Sequence, residues 1–220
     1  MQTHRRWSPV LAVALALALA VGAAAAAAPL SRAQALKALD EPEAALRLAG
    51  VARLAAVGTS VDAERLLARL ADTDAQVGDA AGAAIWQLWS RSGDAAIDKL
   101  FNRGVAQMQA QAHAAALATF SEIVRRKPAF AEGWNKRATV YFLLGENEKS
   151  LQDCDEVLKR NGKHFGALSG AGQIHLQLGH PEQALDYFKR ALAVNPNLEG
   201  LDEAIEVLEQ HLRIKSRNTT

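Results

Sequence analysis

From residue 97 onward, large apolar and small residues recur every 34 positions. Segments 97–130, 131–164 and 165–198 align without a gap. Leu100, Trp134 and Leu168 fall in register, as do Gly104, Ala138 and Gly172; Gln107, Tyr141 and His175; Ala116, Ser150 and Ala184; and Phe120, Cys154 and Phe188. The small residues mark places where two antiparallel helices approach closely, with large side chains filling the spaces between. Leu144-Gly145 and Leu178-Gly179 end the first helix of their units, glycine taking the left-handed position past the last turn. Pro128 and Pro196 cannot continue the second helix and so set where the next unit starts. Each unit therefore reads as a helical hairpin that cannot bury its apolar face alone. Beyond Glu199-Gly200, Leu201, Ile205, Leu208 and Leu212 share one face, which predicts a solvated capping helix over 199–216 and a short tail over 217–220.

Residues 28–93 also carry a helical pattern, with a looser repeat of 31 positions: Leu36 matches Leu67, Leu39 matches Leu70, Leu46 matches Val77, Ala49 matches Ala80 and Leu54 matches Ile85. Ser92-Gly93-Asp94 supplies a break and an N-cap before segment 94–198. No long linker separates the two parts, which predicts one continuous solenoid. Trp86 and Trp89, three apart on one helix face, are expected to pack on Ile97, Leu100 and Phe101.

The first residues follow another rule. Arg5 and Arg6 precede an uncharged apolar run over 10–21 and an alanine tract over 23–28, the three parts of a secretory signal peptide. Cleavage is expected after Ala26 or Ala27, giving a 1–27 leader. The alternative is an uncleaved inner-membrane anchor, since 9–28 approaches the ~20 apolar residues that span a bilayer. The surroundings of Arg5-Arg6 lack the rest of a twin-arginine pattern. Lipidation after the apolar run would need a cysteine there, and the single cysteine is Cys154. The alanine-rich composition looks bacterial, which makes the periplasm the expected destination.

Composition narrows the class. Half of the residues are hydrophobic, mostly alanine and leucine, and 5% are aromatic, which favours helix over sheet and predicts an all-α fold. Lys and Arg number 25 against 24 Asp and Glu, so the chain lacks the electrostatic footprint of a nucleic-acid binder. Arg125-Arg126-Lys127 is a short basic run that complements a helix end. One cysteine excludes an internal disulfide and a cysteine-built metal site. No two of the six histidines are four apart, so neither a metal nor a cofactor is expected. His175 occupies a packed aromatic position. Cys154 lies between Asp153 and Asp155, whose charges would raise its pKa, and reads as structural. With no phosphate-binding loop, GxSxG or paired carboxylates, no enzyme is predicted.

The 34-residue segments resemble the tetratricopeptide repeat, most closely in Leu178-Gly179-His180-Pro181-Glu182-Gln183-Ala184-Leu185-Asp186-Tyr187-Phe188 and the run from Ala191 to Pro196. Gln107 replaces an aromatic in the first unit and Gly162 a proline in the second. Residues 36–90 resemble two HEAT-type repeats, most clearly over 67–85, a family that has arginine after the valine where this chain has Gly78; a generic alanine-rich helical bundle is the alternative. Together the resemblances imply an α-solenoid of stacked antiparallel hairpins in which the first helix of each unit lines a concave groove. Phe101, Asn102, Val105, Asn135, Lys136, Thr139, Phe142, Ser169 and Gln173 are expected to line it. Side-chain amides there can bond a peptide backbone while the apolar members supply contact. Only Lys136, Asn102 and Asn135 match the carboxylate clamp of chaperone-binding members, so clamping a peptide C-terminus is not expected. The implied function is an exported, non-enzymatic scaffold for a protein or peptide partner, without stable membrane insertion once the leader is cleaved. The alternative is a structural subunit of an envelope complex that uses its convex or N-terminal surface.

Overall fold

The computed structural model describes residues 28–218, and the leader expected over 1–27 lies outside them. Two short and two longer helices build the N-terminal part: α1 (Arg32–Ala38), α2 (Ala44–Val57), α3 (Ala63–Leu67) and α4 (Ala75–Trp89). Three hairpins follow, α5 (Ala95–Gln109) with α6 (His113–Arg126), α7 (Ala131–Leu143) with α8 (Asn147–Arg160), and α9 (Phe165–Gln177) with α10 (Pro181–Val194). Helix α11 (Leu201–Asn218) closes the array. The described residues contain no strand, so the architecture is all-α, a solenoid of antiparallel hairpins.

Chain stops and starts follow the local chemistry read above. Asp94 accepts hydrogen bonds from the amides of Ala96 and Ile97 and starts α5. Gly145 and Gly179 have φ of 75° and 73°, and the amides beyond them reach back across the last turn, Glu146 to the Tyr141 carbonyl and His180 to the His175 carbonyl. In the first hairpin Gln111 takes the equivalent left-handed position, with φ of 56°.

Packing inside the hairpins explains the small residues. A Cβ on Gly104 would lie 2.6 Å from the Phe120 ring, and one on Gly172 would lie 2.4 Å from that of Phe188. Both rings are fully buried, so the glycines are what lets each hairpin close around its phenylalanine. The middle hairpin solves the same problem with different sizes: Ala138 stands at the glycine position and Cys154 at the phenylalanine position, both buried in one apolar cluster. The Ser150 hydroxyl donates to the Ala138 carbonyl at 2.8 Å across this hairpin. Where Gln107 replaces the aromatic, it accepts a hydrogen bond from Thr119 at 2.7 Å, and the equivalent pair in the third hairpin is His175 stacked on Tyr187.

The N-terminal helices are held differently. Their core of Leu39, Leu54, Leu66, Leu70, Val77, Ile85 and Leu88 is crossed by two ion pairs, Arg47 with Asp72 and Arg32 with Asp62. Asp72 and Asp62 are almost completely buried, and the guanidinium beside each holds its carboxyl below the usual carboxylate range. Arg47 occupies in the first 31-residue unit the position of Gly78 in the second. At Gly78 there is no room for a second arginine. A Cβ would meet the Leu70 carbonyl at 3.0 Å and the Asn197 amide at 3.1 Å, and Asn197 itself donates to Leu70 at 2.7 Å.

That contact reveals how the two parts join. The N-terminal helices pack along the edge of the array formed by the turns between repeats, so the junction differs from α4 continuing the stack on α5. Trp86 and Trp89 lie against His164 and Phe165 rather than the expected Ile97, Leu100 and Phe101. Asn197 and Leu198 of the third turn also reach the N-terminal helices, and Lys163 of the second pairs with Glu64. One structural position, repeated with the 34-residue period, supplies the docking edge.

Candidate functional site: a groove between the second and third hairpins

Helices α7 and α9 run side by side as first helices of consecutive repeats, and residues three or four apart on their facing sides form a groove. Asn135, Thr139 and Phe142 contribute from α7, Ser169 and Gln173 from α9. These five predicted residues enclose a cavity of about 200 Å³ together with Ala138, Ser150, Cys154, Gly166, Gly170 and Ile174. The cavity reaches down to Cys154 because this hairpin has a thiol where its neighbours have the Phe120 and Phe188 rings. Gly170 deepens it further, since a Cβ there would meet nothing within 4 Å. The repeat alignment carried the signal for Cys154, whose side chain is the small exception in an aromatic column.

The other four predicted residues lie elsewhere. Phe101 is a correction: it is 4% exposed and packs edge-on against Phe120 and Phe130 in the core of the first hairpin. Burying that ring removes apolar surface from water, which outweighs its register with Asn135 and Ser169. Val105 is half-buried against the same core. Asn102 borders a separate shallow depression with Trp86, Gln87, Ser90, Arg91 and Asp98. Lys136 turns to the end of the groove, where its ammonium lies 3.1 Å from Glu132 and 5.5 Å from the centre of a Trp86 ring.

Glu132 organises this end of the site. Its side chain is fully buried and receives His164 Nε2 at 2.9 Å, Lys136 Nζ at 3.1 Å and both contacts of Asn135 Nδ2 at 3.1 Å. Burial pushes the Glu132 carboxyl up, but His164, Lys136 and Asn135 outweigh it and hold the group below the usual carboxylate range. His164 Nδ1 accepts from the Ala167 amide at 3.1 Å, which leaves Nε2 as the donor to Glu132. Trp89 stacks on the imidazole with ring centres 4.4 Å apart. Trp86 needs Gly166 beside it: a Cβ there would lie 2.3 Å from its ring. The indole thus walls one end of the groove.

The chemistry on offer is recognition. Asn135 spends its amide hydrogens on Glu132 and Thr139 donates to the Asn135 carbonyl, so the side-chain oxygens of both remain as acceptors toward the groove. Burial first, and then Asp153 and Asp155, push the Cys154 thiol up to about 12, far from the range of a nucleophilic thiolate. Among the described residues no three His, Cys, Asp or Glu side chains converge as a metal-binding group. None of the helices there is long and apolar enough to cross a membrane.

Stacked antiparallel helical hairpins define an α-solenoid repeat fold. The tetratricopeptide repeat family model matches residues 129–197, which hold the second and third hairpins. A TPR repeat-containing protein of Rhizobium etli is 34% identical over 124 residues, 56% of this chain and 61% of its own length. The chain therefore spans about three-fifths of that relative. Among solved structures, the Sgt2 TPR domain from Aspergillus fumigatus superposes with a TM-score of 0.53 at 19% identity, covering 58% of this chain and 85% of that one. The first TPR of Spaghetti (RPAP3), bound to an HSP90 peptide, gives 0.51 at 20% identity, covering 53% and 93%.

Proposed function

We propose that the chain is an exported, non-enzymatic scaffold that holds an extended peptide or protein segment in the groove between α7 and α9. The observation that carries this reading is the cavity itself, which opens at the one hairpin where Cys154 replaces a phenylalanine. Acceptor oxygens on Asn135, Thr139, Ser169 and Gln173 suit the amide hydrogens of an extended backbone, and Phe142 with Ile174 suits its apolar side chains. Lys136 is engaged by Glu132, which argues for a backbone-reading groove over a carboxylate clamp. Peptide binding by the Spaghetti domain, which shares the fold, is a precedent for such use. Export rests on the leader pattern of residues 1–27, with the periplasm as destination.

The test fills the cavity in the manner of the neighbouring hairpins. Cys154→Phe combined with Ala138→Gly should abolish binding of peptides selected on the native chain while leaving its melting temperature within a few degrees. Retained binding by this folded variant would place the partner elsewhere. A second reading uses the N-terminal surface: a cleft of about 510 Å³ lies between the N-terminal helices and the repeat turns, bordered by Val61, Glu64, Trp89, Lys127 and Arg160. Crosslinking from Glu64 or Val61 but not from Gln173 would favour it.

A further inference from the structure

Helix α11 ends the array and presents two faces. Leu201 and Leu208 are buried against the third hairpin, with Ile205 and Leu212 partly buried on the same side. Ion pairs of Lys189 with Glu209 at 2.6 Å and of Lys215 with Glu182 at 3.1 Å fix its rotation on α10. The adjoining face points outward with Val207 66% exposed and Ile214 52% exposed. These two are seven residues apart and so lie above one another along the helix, with Gln210 and His211 between them. Leu176 of α9, itself exposed, borders Val207 and widens the apolar stripe.

Charge along the same helix is divided by half. Glu203 and Glu206 lie on one margin of the exposed stripe, and Arg213 and Arg217 continue that margin about two and three turns beyond Glu206. In an antiparallel pair of helices related by a twofold axis, each margin meets its own counterpart. With the axis beside Gln210 and His211, Val207 meets Ile214 of the second copy, Glu206 meets its Arg213 and Glu203 meets its Arg217, and every contact occurs twice. In a parallel pair this margin would face the opposite one, where Ala204 and His211 lie, and the match of acid to arginine would be lost. We propose that the exposed face of α11 is a homodimer interface in which two copies of this chain pair α11 antiparallel, joining two repeat arrays end to end. A single helix pair buries less than about 1,200 Å² in total, which belongs to the reversible class of interfaces.

Sedimentation equilibrium of the purified chain over a concentration series should show a monomer–dimer equilibrium that weakens as salt rises. Val207→Asp with Ile214→Asp, both at exposed positions, should leave the circular dichroism spectrum unchanged and remove the dimer. Glu206→Arg alone should weaken dimerisation at least tenfold, and Glu206→Arg with Arg213→Glu should restore it, since the swapped pair is again complementary. Orientation is read separately: under mild oxidation Gln210→Cys, beside the axis, should crosslink two chains, whereas Val207→Cys should not. A chain that stays monomeric at several hundred micromolar would overturn the proposal. So would a dimer indifferent to the Val207 and Ile214 changes, or crosslinking at 207 in preference to 210.

Discussion

The N-terminal helices and the three hairpins are both α-helical and both rich in alanine, yet they are held together by different means. Ion pairs with buried carboxylates, Arg47 with Asp72 and the exposed Arg32 with Asp62, tie the N-terminal helices together. The first and third hairpins close by shape, with Phe120 on Gly104 and Phe188 on Gly172, and the middle one adds an ion pair of Arg137 with Asp153. Between them, Glu132 and His164 form a third kind of contact, a polar pair buried beneath two indoles. Shape complementarity is indifferent to pH and salt, whereas buried carboxylates tie stability to their ionisation. The two halves should therefore fail under different conditions.

Acid should produce the largest separation. Asp62, Asp72 and Glu132 all have folded pKa values depressed below their unfolded ones, so folding favours their ionised forms. Their contribution is complete above about pH 4.5 and is lost as the pH falls through the carboxylate range toward the depressed values. Of the other depressed carboxylates in the hairpins and cap, Glu156, Glu182 and Glu209 belong to exposed ion pairs that water and salt weaken, and Asp94 caps the start of α5. Lowering the pH should thus release the N-terminal helices first. Fluorescence of Trp86 and Trp89 should change at a higher pH than the helical circular dichroism of the array, and coincident transitions would refute the division.

His164→Ala tests the junction alone. It removes a ring stacked on Trp89 and edge-on to Trp86 and takes from Glu132 its shortest hydrogen bond, leaving a buried carboxylate with Lys136 and Asn135. The expected cost is about 3 kcal/mol, read as a lower denaturation midpoint for the N-terminal tryptophans while the hairpins keep theirs. Equal destabilisation of both halves would show that they unfold as one unit.

Gly172→Ala tests shape. The added methyl meets a fully buried ring that has nowhere to move, so the cost should be about 2 kcal/mol. Phe188→Leu in the same chain should recover part of it. In the middle hairpin the logic runs backwards: Cys154→Phe should destabilise, and adding Ala138→Gly should relieve it. A double-mutant cycle with no coupling would refute the size matching of these two positions.

What the sequence made legible follows the same division. Periodic features were readable: the small–large alternation and the glycines ending α7 and α9 recur at one spacing, and the Asp94 cap was legible from its local sequence. The junction was not, because Trp86 and His164 are far apart in the chain and no period links a helix of one part to the turns of the other. Gly78 looked like a lost arginine, when its missing side chain makes space for Asn197. Phe101 followed its column in the alignment, but as the only large apolar residue of that column it turned to the core.

The smallest effect concerns the one place where the first hairpin departs from the other two in backbone conformation. Gly145 and Gly179 adopt positive φ without steric cost, whereas Gln111 places a Cβ in the left-handed region at φ of 56°. The flanking bonds are the same, with the Ala112 amide reaching the Gln107 carbonyl at 2.9 Å, so the turn is imposed on a residue that resists it. Gln111→Gly should relieve that strain at the price of a more flexible unfolded chain, a net gain of about 0.5–1 kcal/mol. Thermal melting should show a rise of a few degrees. A fall instead would mean that the Gln111 side chain contributes more to the first hairpin than its backbone strain removes, and the three turns would no longer be equivalent.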